Sequence, residues 1–209
     1  MSYSMRRPAF ITMLDLQNRM NSKVHSDWMN QGNAWYRAVW IECGELMDHY
    51  GYKWWKKQQP DMAQVQLEVV DIWHFGMSAL FKEGVKIETL ADDILAALEG
   101  HRGAGLGLLE ATEALAEHCL RTKGFSVPIF WDLITAAELS FDDLYKQYVG
   151  KNVLNFFRQD HGYKDGSYIK IWQGQEDNVH LVDILASADV QSLKFADDVY
   201  QGLVERYPA

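Results

Sequence analysis

The chain has 209 residues, with 20 Lys and Arg against 29 Asp and Glu, a net charge of −9, and 48% apolar types. That is enough apolar material for a substantial core and too much for a disordered chain, and so acidic a protein lacks the clustered cations that a nucleic-acid polymer demands. No apolar run reaches the ~18–20 residues of a membrane span. Residues 1–8 have no apolar segment behind their charges, and Cys43 and Cys119 are too few for a disulfide framework, so a reduced cytoplasmic protein is expected.

Proline occurs only at Pro8, Pro60, Pro128 and Pro208. Long proline-free stretches with apolar residues three and four apart predict helices. The first is expected over 11–21 and the second over 33–49, closing near Gly51, a residue suited to the left-handed position past a helix end. Pro60-Asp61 opens a third that runs to about Phe81, since Pro and Asp suit the unpaired N–H groups of a first turn. Further helices fit 88–99, 106–121, 129–149 and 190–206. Gly162, Gly166 and Gly174 interrupt 160–175, which reads as an ordered loop, and Gly103-x-Gly105-x-Gly107 follows no strand and reads as an interhelical turn. With no repeat and no linker, a single all-α domain, a helical bundle over 1–209, is expected.

Two acid pairs stand out, Glu42 with Glu45 and Glu68 with Asp71. Each has i,i+3 spacing, which places both carboxylates on one helix face. Their neighbours are Trp, Ile, Leu and Val, types that demand burial. Four like charges in apolar helices repel and lose solvation unless a proton, a base or a cation neutralises them. Mg²⁺ suits such a site, because it takes carboxylates together with substrate phosphates. Interhelical salt bridges are the plainer alternative. Zinc lacks its Cys and His ligands here, and the Glu-x-x-His motif of di-iron bundles has only a faint echo in Asp71 and His74.

Positive charge gathers at 150–173. Lys151, Asn155 and Arg158 fall on one helical stripe, and Lys164 and Lys170 follow with the hydroxyls of Tyr163 and Tyr168. Alone these could be a solvated basic face; beside a carboxylate–metal cluster they read as a phosphate clamp. Trp54 and Trp55, in a short polar loop after the first acidic helix, offer a flat ring on which a base can stack, or else cap the helix pair.

In this order the motifs resemble the dimeric all-α dUTPases, part of the all-α NTP pyrophosphatase superfamily that includes MazG-like enzymes. The resembling stretches are 14–21, with Gln17 and Asn21; 35–57, with Glu42, Glu45 and Lys53-Trp54-Trp55-Lys56; 64–81, with Glu68 and Asp71; and 148–173, with Phe157-Arg158 and Gly162-Tyr163-Lys164. Residues 22–34 depart from the usual Thr-Asn-Gly segment, and His161 stands where Asn is expected. The resemblance implies a homodimer whose active site is shared between subunits, and Glu42, Glu45, Glu68 and Asp71 as ligands for two or three Mg²⁺ ions. It implies Gln17 and Asn21 on the uracil edge, Trp54 packed on the base and His74 at the deoxyribose. Lys151, Asn155, Arg158, Tyr163, Lys164 and Lys170 would bind the phosphate chain.

The expected reaction is hydrolysis of dUTP, with dUDP as a further substrate, to dUMP and pyrophosphate or phosphate. The resemblance points to attack at the β-phosphorus; of the four carboxylates, Glu45 is the one expected to position or deprotonate the water. Phe75 or Trp73 could supply the apolar bulk that excludes a 2′-hydroxyl. Two other readings remain at this point: a related pyrophosphatase acting on dCTP or a modified nucleotide, and a non-catalytic helical dimer whose acid pairs are structural.

Overall fold

The computed structural model describes residues 3–190, 192 and 194–208. Its elements are α1 (Tyr3–Val24), a 3₁₀ turn (Trp28–Gln31), α2 (Trp35–Tyr50), α3 (Met62–Leu80), α4 (Ile87–Leu98), α5 (Leu108–Thr122), α6 (Val127–Ala136), α7 (Phe141–Asp160), the strands β1 (Ile171–Trp172) and β2 (Gln175–Glu176), α8 (Asp177–Ser187) and α9 (Phe195–Arg206). The protein is all-α, as expected, with one two-stranded ribbon among the described residues. It divides into two compact units, residues 1–144 and 145–209.

In the first unit α2 and α3 form the most extensive packing. Gly51 ends α2 at φ +94°, a left-handed conformation that costs glycine nothing, and its N–H donates to the Met47 carbonyl. The Asp61 N–H donates to the His49 carbonyl at 3.0 Å, and the Asp61 carboxylate caps α3 by accepting from the Gln64 N–H. The loop thus folds α3 back alongside α2. Val39, Cys43 and Leu46 of α2 and Val65, Val69 and Ile72 of α3 are buried, as the apolar spacing demands.

Trp73 extends this core. Its ring stacks on Phe130 of α6 with centroids 4.9 Å apart and planes 7° from parallel, and Phe10 of α1 meets it edge-on. Gly76, one turn from Trp73 on α3, lets Phe125 approach; a Cβ there would collide with the ring.

Two helix expectations require correction. α1 starts at Tyr3 rather than 11 and contains Pro8. Pro8 is the sixth residue of the helix, so the bond its missing N–H forfeits and the crowding of its ring against the preceding carbonyl are confined to the first turn. The helix expected over 129–149 is two helices. Between them Glu138 adopts φ +54° and the Leu139 N–H reaches back to the Ile134 carbonyl, a Schellman-type stop formed without glycine. Ser140 then opens α7, its hydroxyl accepting from the Asp143 N–H.

The second unit takes all but the first turn of α7, the ribbon, α8 and α9. The residues expected as loop hold a short hairpin, in which Ile171 pairs with Glu176 and Trp172 with Gln175. Gln173 and Gly174, both at positive φ, make the two-residue turn that matches strand twist. α8 is an addition to the expected helices; it buries His180, Leu181, Ile184 and Leu185. Of the helix expected over 190–206, Phe195–Arg206 forms α9, and Gln191 and Leu193 lie outside the described residues. Phe157, Trp172, Tyr200 and Tyr207 form an aromatic cluster around which these elements pack.

Phe130 is fully buried against Trp73. Phe130→Ala should lower stability by about 3–5 kcal/mol, the usual effect of removing a buried aromatic ring. Urea denaturation measures it, and a loss below about 1 kcal/mol would show that the α3–α6 packing has been misjudged.

Candidate active site

Glu42 lies eight residues before the end of α2, and Glu68 and Asp71 lie within the first three turns of α3. Because α3 folds back on α2, the three meet: each offers a carboxylate oxygen, and these oxygens all lie within 4.8 Å of one another. Glu68 is 8% exposed. Burial, then a hydrogen bond to Glu68, then the repulsion of Asp71 and Glu45 push the Glu42 carboxyl up to about 8. Glu68 is raised as well, again chiefly by burial, although the bond from Glu42 and the nearby His49 act in the opposite direction. Both carboxyls therefore hold a proton more readily than isolated acids do.

A proton held this far above its usual range marks a place where a cation would fit better. The donor set is all carboxylate oxygen, which suits a hard divalent cation. Glu45, the fourth acid, stands outside the cluster; it is exposed and lines a cleft of about 370 Å³ with Trp40, Ile41, Gly44, Asp48 and His49. His49 is an addition to the residues expected from sequence, and its Nε2 lies 3.5 Å from Glu68. Its position on α2, one turn past Glu45, is the signal that points to it.

Gln17 and Asn21 lie one turn apart on α1, buried, and meet His74 and Ser78 of α3. The Gln17 Nε2 donates to Asn21 Oδ1 at 3.0 Å, Asn21 Nδ2 donates to Ser78 Oγ at 3.0 Å, and the Ser78 hydroxyl donates to the His74 carbonyl at 3.0 Å. The ring nitrogen Nδ1 of His74 lies 3.0 Å from Gln17 Oε1. The structure thus brings together three of the expected nucleotide-contacting residues and adds Ser78, whose signal is its place one turn beyond His74. Trp54 is 90% exposed, with Trp55 packed edge-on against it, so the pair does not belong to the core. Trp73 is core, while Phe75 stacks on Trp35.

The remaining candidates lie in the second unit. Lys151, Asn155 and Arg158 are on α7 as their spacing implies. Arg158 is gripped by Asp177: Nε donates to Oδ2 at 2.8 Å and Nη2 to Oδ1 at 2.9 Å, while Nη1 donates to Asn155 Oδ1 at 3.3 Å. Asp177 is fully buried and also accepts from the Tyr168 hydroxyl at 2.8 Å. Burial alone would raise its carboxyl, but the guanidinium and the hydroxyl outweigh that and hold it below the usual range. Arg158 also lies over the Tyr163 ring, at 5.9 Å from its centroid. Lys170 pairs with Glu176, and Tyr163 and Lys164 are exposed. His161 follows the end of α7, its ring nitrogen bonded to the Phe157 carbonyl. No local pattern announces Asp177, which is 19 residues from Arg158.

The model of the family described as dUTPase matches residues 9–163 of the chain. No curated protein matches it at a significant level. No helix of the described residues is long and apolar enough to cross a membrane.

Two outcomes follow from the site's electrostatics. Glu42 holds its proton more tightly in the fold than in the unfolded chain, where the value is ~4.3. Its contribution to stability is complete below the unfolded value and is lost as pH rises through about 8. The melting temperature in EDTA should therefore fall across that window, and Mg²⁺, by replacing the proton, should flatten the decline. Calorimetry with and without Mg²⁺ checks this, and identical pH profiles would refute it. Asp177→Ala strands a largely buried guanidinium and should cost about 3–5 kcal/mol in urea denaturation.

Proposed function

The chain belongs to the dUTPase family, and we propose that it hydrolyses dUTP, and dUDP as a second substrate, in a Mg²⁺-dependent reaction that releases dUMP. The observation that carries this reading is the convergence of Glu42, Glu68 and Asp71 from two apolar helices, with carboxylate oxygens all within 4.8 Å of one another. Glu42, Glu68 and Asp71 would hold the ions, with Glu45 beside them. Bound Mg²⁺ supplies the positive charge that neutralises triphosphate oxygens, which explains how a chain of net charge −9 accepts an anionic substrate.

Glu45, facing solvent, accepts the proton of the attacking water as the new P–O bond forms and the bond to the leaving phosphate breaks. Gln17 and Asn21 read the base, Trp54 stacks on it, and His74 meets the deoxyribose. Phe75, already stacked on Trp35, is the better placed of the two aromatics to exclude a 2′-hydroxyl. Lys151, Asn155, Arg158, Tyr163, Lys164 and Lys170 bind the phosphate chain. Asp177 and Tyr168 fix the Arg158 fork, leaving its far edge for phosphate oxygens. The enzyme acts as a homodimer with residues of both subunits at each site, in the cytoplasm.

Pyrophosphate release from a panel of deoxynucleoside triphosphates, with Mg²⁺ and with EDTA, tests the assignment. Turnover should be greatest on dUTP and abolished by EDTA. Preference for dCTP would overturn the uracil assignment while sparing the carboxylate site, and inactivity on the whole panel would favour a binding protein. Glu45→Gln should lower kcat by roughly 10²–10⁴-fold; turnover at the wild-type rate would remove Glu45 from the chemistry. In ¹⁸O-labelled water, attack at the β-phosphorus leaves dUMP unlabelled.

A further inference from the structure

An amide side chain is a poor judge of pyrimidines by itself. Uracil offers O4 and O2 as acceptors and N3–H as a donor, whereas cytosine offers its amine as a donor and N3 as an acceptor. Turning an Asn or Gln amide by half a turn exchanges its oxygen and its NH₂ with almost no change of shape. A pair of amides left to choose their own orientation can therefore accommodate either edge. Discrimination needs something that fixes which way each amide faces.

The buried chain of Gln17, Asn21, Ser78 and His74 contains such an anchor. The His74 carbonyl can only accept, so the bond at 3.0 Å requires Ser78 to donate its single hydroxyl proton there. With that proton committed, Ser78 Oγ can only accept from Asn21, so the Asn21 amide must present Nδ2 to it. Asn21 Oδ1 then faces Gln17, which must donate through Nε2. Gln17 Oε1 is left facing His74, so the proton of that bond sits on His74 Nδ1 and the lone pair of the neutral ring on Nε2. The opposite order is possible only if Ser78 turns its proton to Asn21 and gives up the backbone carbonyl. One hydroxyl thereby sets the sense of two amides and one tautomer.

We infer that Ser78 is the positioning residue for pyrimidine discrimination: its bond to the His74 carbonyl orients Asn21 and Gln17 for the edge of uracil. The inference rests on the base-reading role proposed above for those two amides. Ser78 is 2% exposed and acts on the base only through them. Its influence on specificity is that of one hydrogen bond, so its loss should reduce the preference for dUTP over dCTP by about five- to tenfold rather than abolish it.

The test compares kcat/KM for dUTP and dCTP in wild-type enzyme, Ser78→Ala, Ser78→Thr, Gln17→Ala and Asn21→Ala, all with Mg²⁺. Ser78→Ala should lower the dUTP/dCTP ratio about five- to tenfold. Ser78→Thr, which retains the hydroxyl, should restore it. An independent readout is the ¹⁵N spectrum of the His74 ring at a pH where it is neutral. The wild type should show the proton on Nδ1, and Ser78→Ala a mixture of tautomers. A proton on Nε2 in the wild type overturns the inference, even if Ser78→Ala should fail to fold. So does an unchanged ratio in Ser78→Ala when Asn21→Ala alters it. If neither Gln17→Ala nor Asn21→Ala moves the ratio, the base-reading assignment itself fails and this inference falls with it.

Discussion

The constraint on which this molecule turns is the cost of holding three carboxylates together inside an apolar helix pair. Glu68 is buried and Glu42 and Asp71 are partly so, and like charges placed there lose solvation and repel one another at short range. The fold answers by raising the proton affinity of Glu42 and Glu68, and with His49 close to Glu68. Such an arrangement is a poor way to stabilise a protein, because apolar residues at the same positions would pack without penalty. It makes sense as a site whose unfavourable charge is relieved by a ligand. The surrounding packing supplies what the site takes away: Trp73 on Phe130 fixes α3 against α6, and the Asp61 cap and the tight closure at Gly51 keep α3 alongside α2 despite the repulsion between them.

Much of this is legible in the amino-acid sequence. Burial of Val39, Cys43 and Leu46 beside Glu42 follows from helical spacing, and apolar neighbours on both sides of Glu68 announce that it too is buried. What the residues leave unmarked is of two kinds. Helix ends without their usual residues carry no signal, as where Glu138 adopts a left-handed turn with no glycine, or Pro8 is accommodated inside α1. Only the Ser140-x-x-Asp143 pattern hints at the break before α7, and a continuous apolar period masks it. α8 is obscured by the glycines that precede it. The second kind is the partner residue. Asp177 meets Arg158 across a hairpin, and Ser78 meets Asn21 across two helices, and no spacing rule reaches so far along the chain.

α3 shows how little sequence is needed to join the two halves of the proposed reaction. Glu68, Asp71, His74 and Ser78 follow one another at intervals of three, three and four residues, which is a single stripe along the helix. Ten residues at ~1.5 Å each make that stripe ~15 Å long. At one end it carries the carboxylates that meet Glu42, and at the other the hydroxyl and ring that meet Asn21 and Gln17. The opposite side of the same helix, through Val69, Trp73 and Gly76, is packed into aromatic and aliphatic neighbours. A helix held so firmly on one side cannot rotate or slide without breaking the core. The separation between the charge-bearing end and the end proposed to read the base is therefore fixed by backbone geometry, and under that proposal a substrate spanning both must match that length. Specificity on this view lies partly in a ruler and partly in the direction of a hydrogen-bond chain, and both are properties of α3.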